Sequence, residues 1–173
     1  KVTLVTVLRL DGRDGYLGVR LTMALTTAVT LLGLHLEDVD LLALADVVHN
    51  NKSIGESIAS GTFKTRGMVV IPCSMKTIAG IASGYSDNLV LRAADVTLKE
   101  QRPLVLLARE TPMSPIHLRN LSELAALPSV CIMPPMMTYY HHPKTIEDME
   151  NQLIGKIFDR FGFDYPPFER WEG

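Results

Sequence analysis

Apolar runs alternate with helix-like patterns along most of this chain. Residues 2–8 alternate apolar side chains with Thr3 and Thr6, which predicts a first strand. The continuous β-branched run 67–71 is typical of a strand buried on both faces, and 103–108 and 129–133 continue the series. Helical patterns fill the remaining segments. They are predicted at the start of 17–32, at 38–49, 75–83, 87–99 and 115–127, and from Thr145 to Gly162.

Strands that alternate with helices predict an α/β protein whose central parallel sheet is covered on both faces, a three-layer Rossmann-like fold. Within the helices, Ser86 is the predicted N-cap of 87–99. Thr145 and Asp148 have nearly the spacing of a capping box. We predict a single domain over 1–173, with the Pro-rich, aromatic tail 163–173 as an oligomer contact.

Composition narrows the classes of partner. The 173 residues are enough for one domain with a full core. A net charge of −2 gives no support for nucleic acid or an anionic membrane as partner. No secretory signal is evident, and no apolar run reaches the roughly 18 residues of a membrane span, so we predict a cytoplasmic protein.

Metal and thiol chemistry are not expected from the sequence. Cys73 and Cys131 lie in or beside apolar runs and are interpreted as buried, reduced thiols. The tandem His141 and His142 have no third ligand at a suitable spacing, so surface histidines are favoured and no metal is predicted.

Polar residues follow two of the predicted strands at the point where each strand ends. Ser74, Met75, Lys76 and Thr77 follow the run 67–72 and precede a helix, where free N–H groups and the helix dipole attract a phosphate. Arg109 and Glu110 follow the next run, 103–108. Carboxyl ends of parallel strands share one edge, so both turns are expected to border one pocket for a phosphorylated small molecule.

Several motifs in this region resemble the UbiX-type flavin prenyltransferases, also called the Pad or phenolic-acid decarboxylase B-subunit family. The resemblance runs from about Ala43 to Gly173, and it rests on the joint order and spacing of the motifs. They are Ile58–Phe63, Pro72–Thr77, Arg92–Val96, Leu98–Glu100, Arg109–Pro112 and Pro134–Met136. The family implies a flavodoxin-like arrangement of the sheet and binding of flavin mononucleotide (FMN).

The resemblance implies a role for each polar turn. Ser74, Met75, Lys76 and Thr77 match the FMN-binding segment, and Arg109 matches a further FMN contact. Glu110 matches an acid that shuttles a proton to the departing phosphate. From the residues alone, a hydroxyl N-cap with a solvated Lys76, and an Arg109–Glu110 ion pair, remain alternative interpretations.

The family also implies a group of donor-phosphate residues. Arg92 and Lys99, seven residues apart on one helix face, match positions near the phosphate of the prenyl donor; a solvated basic stripe is the alternative. Tyr140 matches an aromatic residue that contacts this phosphate. Lys156 stands where many relatives have arginine. A lysine keeps the positive charge of arginine but lacks its bidentate fork.

The activity implied is alkylation of reduced FMN by dimethylallyl phosphate, which gives prenylated FMN for a partner UbiD-type decarboxylase. The family forms trimers and dodecamers whose active sites are built partly from adjacent subunits. Two alternatives remain open: a non-catalytic FMN-binding or carrier subunit, and a flavin-dependent decarboxylase.

The first forty residues depart from the family pattern. Residues 9–15 stand where relatives have a Gly-Ala-Ser-Gly turn, and about a dozen residues are missing after Leu25. A glutamate of the family's catalytic apparatus has no equivalent here, since Glu37 and Asp38 are out of register. Two explanations fit: a divergent member with reduced activity, or an N-terminal sequence that differs from the natural one.

Overall fold

A computed structural model describes residues 4–9 and 47–171. Its strands are β1 (Leu4–Arg9), β2 (Thr65–Cys73), β3 (Leu104–Ala108) and β4 (Val130–Ile132). Its α-helices are α1 (Met75–Ala82), α2 (Leu89–Lys99), α3 (Pro115–Ala125) and α4 (Ile146–Asp159), and a short 3-10 helix spans Ser57–Ala59. The helix predicted at the start of 17–32 and most of the one at 38–49 lie outside the described residues. The described end of the latter, Val47–His49, is not helical.

The four described strands form one sheet in the order β1-β2-β3-β4. Strands β2, β3 and β4 are parallel, and the helices between them make the connections, so the predicted α/β fold with a central parallel sheet is confirmed. Strand β1 differs from the prediction because it pairs antiparallel with β2, with Val5 opposite Val70. An antiparallel edge strand is a common addition to a parallel sheet.

The centre of the sheet is closed to solvent on both sides. Met68 and Val70 project from one face of β2 into a core cluster with the buried faces of α1, α2 and α3. Val69 and Ile71, which project from the opposite face, are equally buried. The continuous apolar run of β2 therefore indicated its two-sided burial correctly, because a strand with only one covered face would alternate.

Side-chain caps set the starts of the helices. Thr145 and Asp148 form the capping box predicted for α4. For α2 the prediction of Ser86 as N-cap is wrong: Asn88 caps the helix by accepting the N–H of Leu91 at 3.1 Å. The reason is a long-range contact, since Asn51 accepts the N–H groups of Leu89 and Val90 and thereby fixes the first turn.

The chain divides into two compact units. One holds β1 and residues 49–134, including β2 to β4 and α1 to α3. The other holds residues 11–48 and 135–173, of which the structure describes 47–48 and 135–171. The single-domain assignment stays a prediction. Over residues 4–9 and 47–171, no helix has both the length and the apolarity to cross a membrane.

Candidate functional site

The turn after β2 presents free backbone donors. Ser74 is the N-cap of α1: its Oγ accepts the N–H of Thr77 at 3.4 Å and lies 3.2 Å from the Thr77 hydroxyl oxygen. Its carbonyl accepts the N–H of Ile78 at 3.0 Å. The N–H groups of Met75 and Lys76, at the first two helical positions, have no such partner within the helix. The Met75 side chain is buried, which anchors the turn, while the Lys76 side chain is exposed.

Arg109 lies directly beside this turn. Cys73 pairs with Ala108 across β2 and β3, and the Arg109 N–H donates to the Cys73 carbonyl at 3.0 Å. Ser74 and Arg109, the next residues along each strand, therefore start from adjacent points on one sheet edge. The structure brings together the two turns that the sequence predicted to be neighbours, although their roles toward a ligand stay predictions.

The polar side chains of the second turn are directed to solvent. Arg109 and Glu110 are exposed, and within the described residues no ion pair joins them, so the alternative of a structural Arg109–Glu110 pair has no support. Glu110 instead accepts the N–H of Thr111 at 3.2 Å. Among the residues that the structure describes, no carboxylate pairs with the guanidinium of Arg109, whose backbone lies at the sheet edge where α1 begins.

Cys73 is not a nucleophile in this site. Burial raises the pKa of its thiol to about 12, because a thiolate would lose its hydration there. Cys73 and Cys131 are free, and Cys131 is only partly buried, contrary to the prediction of two buried thiols. No cluster of three or more metal-ligating His, Cys, Asp or Glu side chains occurs in the described part of the chain.

Arg92 and Lys99 share a face of α2, but each has a carboxylate partner. Arg92 donates to Asp95 at 2.9 Å, and Lys99 donates to Glu100 at 2.7 Å. The hydrogen bond from Lys99 lowers the pKa of Glu100, with help from the charges of Lys99 and Arg102. Both basic side chains are also partly exposed to solvent, so the solvated basic stripe stays an alternative to a phosphate-binding role.

Lys99 lies at the other edge of the sheet from Ser74 and Arg109. Its ammonium is next to Gly61, in the segment that leads into β2. The five residues of β3 separate this amino edge from Arg109, a distance of roughly 17 Å at ~3.3 Å per residue. Within one chain, Lys99 therefore lies far from the turns that contain Ser74 and Arg109.

Arg102 is a feature that the sequence analysis missed. Its guanidinium donates to the carbonyls of Gly61 at 2.7 Å and Phe63 at 2.9 Å and to the Thr65 hydroxyl at 3.1 Å. A carboxylate oxygen of Glu100 lies 3.9 Å from a nitrogen of the same guanidinium. Arg102 thereby ties the segment before β2 to the end of α2. In the sequence, Arg102 was marked only by its position just before the predicted strand 103–108. That position does not indicate which groups Arg102 contacts.

Tyr140 and Lys156 lie in the unit that contains α4. Tyr140 is 64% exposed, and its ring lies edge-on to His141 at 5.4 Å and to Trp171 at 6.5 Å between centroids. The Lys156 ammonium is exposed and lies 5.5 Å from the centre of the Phe168 ring. His142 is exposed as predicted, but His141 is half-buried, with Nδ1 3.5 Å from the Thr138 hydroxyl.

These features define a class: an α/β protein with a capped helix start and an arginine side by side at the carboxyl edge of its parallel sheet. The Flavoprotein family profile matches residues 19–158. A probable UbiX-like flavin prenyltransferase of Sedimentibacter hydroxybenzoicus is 50% identical over 156 residues, which are 90% of this chain and 78% of the relative. Flavin prenyltransferase LpdB of Lactiplantibacillus plantarum is 52% identical over 133 residues, 77% of this chain and 71% of that protein.

Two solved structures have the same fold. AnUbiX (PadA1), crystallised with FMN and dimethylallyl pyrophosphate, superposes with a TM-score of 0.78 at 40% identity, covering 88% of this chain and 90% of its own. A dodecameric FMN-dependent UbiX-like decarboxylase from Escherichia coli O157:H7 gives 0.79 at 42% identity, covering 88% and 92%. The chain belongs to the UbiX-like flavin prenyltransferases within the Flavoprotein family. Of the departures from the family pattern, Arg9 ends strand β1, whereas residues 10–15, the stretch after Leu25, and Glu37 and Asp38 lie outside the described residues.

Proposed function

We propose that this protein is a flavin prenyltransferase that joins the dimethylallyl group of dimethylallyl phosphate to reduced FMN and releases prenylated FMN. The observation that carries the proposal is the hydrogen bond from Arg109 N–H to the Cys73 carbonyl, which holds the Arg109 backbone beside the start of α1. This pairing of a helix start with an arginine suits a phosphorylated ligand.

The residues present fit FMN. The N–H groups of Met75 and Lys76 and the Ser74 and Thr77 hydroxyls offer donors at one point, and Arg109 adds a planar, charged fork for phosphate or flavin oxygens. When bound, reduced FMN supplies the nucleophilic N5 and the C6 that closes the fourth ring. The protein's part is to orient this ring system and to exclude water from it.

The donor requires charge neutralisation as its allylic C–O bond breaks and inorganic phosphate leaves. Arg92, Lys99, Tyr140 and Lys156 are proposed to hold that phosphate, and Glu110 to deliver a proton to it. Since Lys99 and Arg109 occupy opposite sheet edges of one chain, a site that uses both needs a second copy. We therefore propose a homo-oligomer, a trimer or dodecamer, whose copies complete each other's sites.

The proposal extends to the protein that receives the product and to the cellular compartment of the reaction. We propose that a UbiD-type decarboxylase receives the prenylated FMN and that the reaction occurs in the cytoplasm. The alternative is a non-catalytic FMN carrier, favoured by the departures from the family pattern within the first forty residues. A flavin-dependent decarboxylase is the remaining alternative.

Anaerobic incubation with reduced FMN and dimethylallyl phosphate tests the proposal. We expect mass analysis of the released flavin to show FMN enlarged by one dimethylallyl-derived unit. FMN that binds, as seen in the absorbance spectrum, but is recovered unmodified would favour the carrier. Consumption of a carboxylic-acid substrate without flavin prenylation would favour the decarboxylase.

A further inference from the structure

The chain after α4 folds back onto that helix and is fastened by a bidentate ion pair. We call residues 164–171 the strap. Arg170 donates to both oxygens of Asp159, at 2.6 and 3.1 Å, and Gln152 donates to the Glu169 carbonyl at 3.1 Å. Hydrogen bonding to Arg170 lowers the pKa of Asp159, so the carboxylate is ionised near neutral pH. Two parallel charge-assisted bonds fix orientation as well as distance.

Phe168 is the part of the strap that packs most closely on α4. Its ring lies against the backbone of Gly155, where even one additional carbon would collide with it. Gly155 is in mid-helix with an ordinary φ, so glycine serves there to make room. The Lys156 ammonium and the Arg170 guanidinium lie 5.5 and 4.9 Å from the centre of the same ring.

These contacts link the strap to both proposed donor-phosphate residues of this unit. Lys156 has a long, exposed side chain that would otherwise sample many rotamers, and the Phe168 ring attracts its ammonium to one region. Trp171, at the end of the strap, lies edge-on to Tyr140. The Asp159–Arg170 pair is exposed enough to contribute little to overall stability, so positioning is the role that its geometry fits.

We propose that the strap, held by the Asp159–Arg170 pair and seated on Gly155, positions Lys156 for the phosphate of the prenyl donor. Asp159, Gly155 and Phe168 are positioning residues and do not touch the donor. This inference rests on the proposed function, because it assigns Lys156 to dimethylallyl phosphate. A lysine holds a phosphate as a flexible point charge, and the aromatic ring of Phe168 supplies the order that a lysine lacks.

Trp171 is the only tryptophan of the chain, so its fluorescence anisotropy reports the strap directly. In Asp159→Asn we expect the anisotropy to fall. The KM for dimethylallyl phosphate should rise roughly 2–5-fold, the size of an exposed cation–π contact, while kcat changes less and FMN affinity is unchanged. Asp159→Glu, which can re-form the pair, should restore both readouts.

A second variant reaches the strap without a change of charge. Gly155→Ala favours the helix by propensity but displaces Phe168, so it should reproduce the lowered anisotropy and the raised KM. The matched control is Glu123→Gln, which breaks the exposed Arg119–Glu123 pair of α3 at 3.8 Å. It should leave both readouts as in the parent protein.

The outcomes separate this inference from the proposed function. The positioning role is overturned if the strap is freed but the KM for dimethylallyl phosphate is unchanged. It is also overturned if the anisotropy is unchanged in both Asp159→Asn and Gly155→Ala. In either case, prenyl transfer by the parent protein still upholds the proposed function. A parent protein that binds FMN and neither binds nor consumes dimethylallyl phosphate overturns the proposed function, and the positioning role falls with it.

Discussion

Gly61 is the clearest case at the residue scale of a glycine that serves to provide space. Its φ is not in the left-handed region, yet an added Cβ would lie within 2.9 Å of the Lys99 ammonium and collide with the Glu100 carboxylate. The two charged ends fold over the Gly61 backbone together. Since Lys99 is a proposed phosphate ligand, the missing side chain at Gly61 helps to set where its charge lies.

Gly61→Ala should therefore move the Lys99 ammonium without unfolding the protein, because the colliding atoms are the ends of flexible side chains. We expect the KM for dimethylallyl phosphate to rise roughly five-fold, with FMN affinity and thermal midpoint unchanged. Steady-state kinetics and flavin titration measure these quantities. Gly55→Ala, which meets no atom within 4 Å, is the control. A KM equal to that of the parent would contradict the expectation.

Substitutions at the proposed donor-phosphate residues test the function itself. Arg92→Ala or Tyr140→Phe should lower the transfer rate by about 10²–10³ and spare FMN binding, since a preorganised donor to the developing anion is lost. Lys156→Arg should keep or raise the rate, because arginine restores the fork and also stacks on Phe168. Parallel loss of FMN binding and transfer in all three variants would indicate a packing defect instead.

At the scale of elements, the start of α1 supplies the proposed flavin contacts, and like the starts of α2 and α4 it is capped by a side chain. Ser74 caps α1, Asn88 caps α2 and Thr145 caps α4. A cap both stabilises its helix and fixes the direction of the first N–H groups. The caps of α1 and α2 should therefore be similar in their effect on stability and different in their effect on flavin binding.

Ser74→Ala should lower the free energy of unfolding by about 1 kcal/mol and also weaken FMN binding. Asn88→Ala, a matched loss of a cap on α2, should lower stability similarly and leave FMN binding unchanged. Chemical denaturation and flavin titration provide the comparison. Equal weakening of FMN binding in the two variants would mean that Ser74 acts only through stability.

The start of α4 should respond to acid. The pKa of Asp148 is lowered chiefly because its carboxylate accepts the backbone N–H of Lys144, and next that of Thr145. Because the pKa of Asp148 is lowered on folding, its carboxylate stabilises the folded protein above the ordinary pKa of 3.8. This stabilisation is lost as the pH falls through the folded-state pKa. We expect amide exchange in the first turn of α4 to accelerate only below that range. Asp148→Asn should remove most of the pH dependence; a change already evident between pH 5 and 8 would contradict this origin.

At the scale of the whole molecule, the positions of Lys99 and Arg109 require more than one chain if both act in one site. Light scattering should therefore find a multiple of the 19.1 kDa chain at micromolar concentration. A 19.1 kDa species with full activity would contradict the shared site.

Co-expression of two inactive chains is the sharper test. Lys99→Ala and Arg109→Ala chains should each be impaired alone, whereas mixed oligomers should recover part of the activity, because some sites then receive both intact residues. The control is a doubly substituted chain mixed with itself, which contains no intact site. Mixed oligomers that stay as inactive as the single variants would place both residues in one chain's site.

Features that depend on local pattern and on strand polarity could be predicted from the amino-acid sequence. The burial of residues 67–71 of β2 followed from their apolar run, and the capping box of α4 from the spacing of Thr145 and Asp148. The proximity of Ser74 and Arg109 was predictable because the carboxyl ends of adjacent parallel strands lie at the same edge of the sheet. The family followed from the order of several motifs.

Contacts between segments distant in sequence could be found only in the folded protein. Asn88 replaced Ser86 as the cap of α2 because Asn51 reaches its first turn, and Arg102 found its partners around 40 positions earlier. Lys99 and Arg109 are ten residues apart in the chain, yet a strand runs between them and carries them to opposite edges. The strap, too, depends on where the chain turns after α4. Spacing along the sequence fixes which face of an element a residue occupies, and packing alone fixes which other segment that face meets.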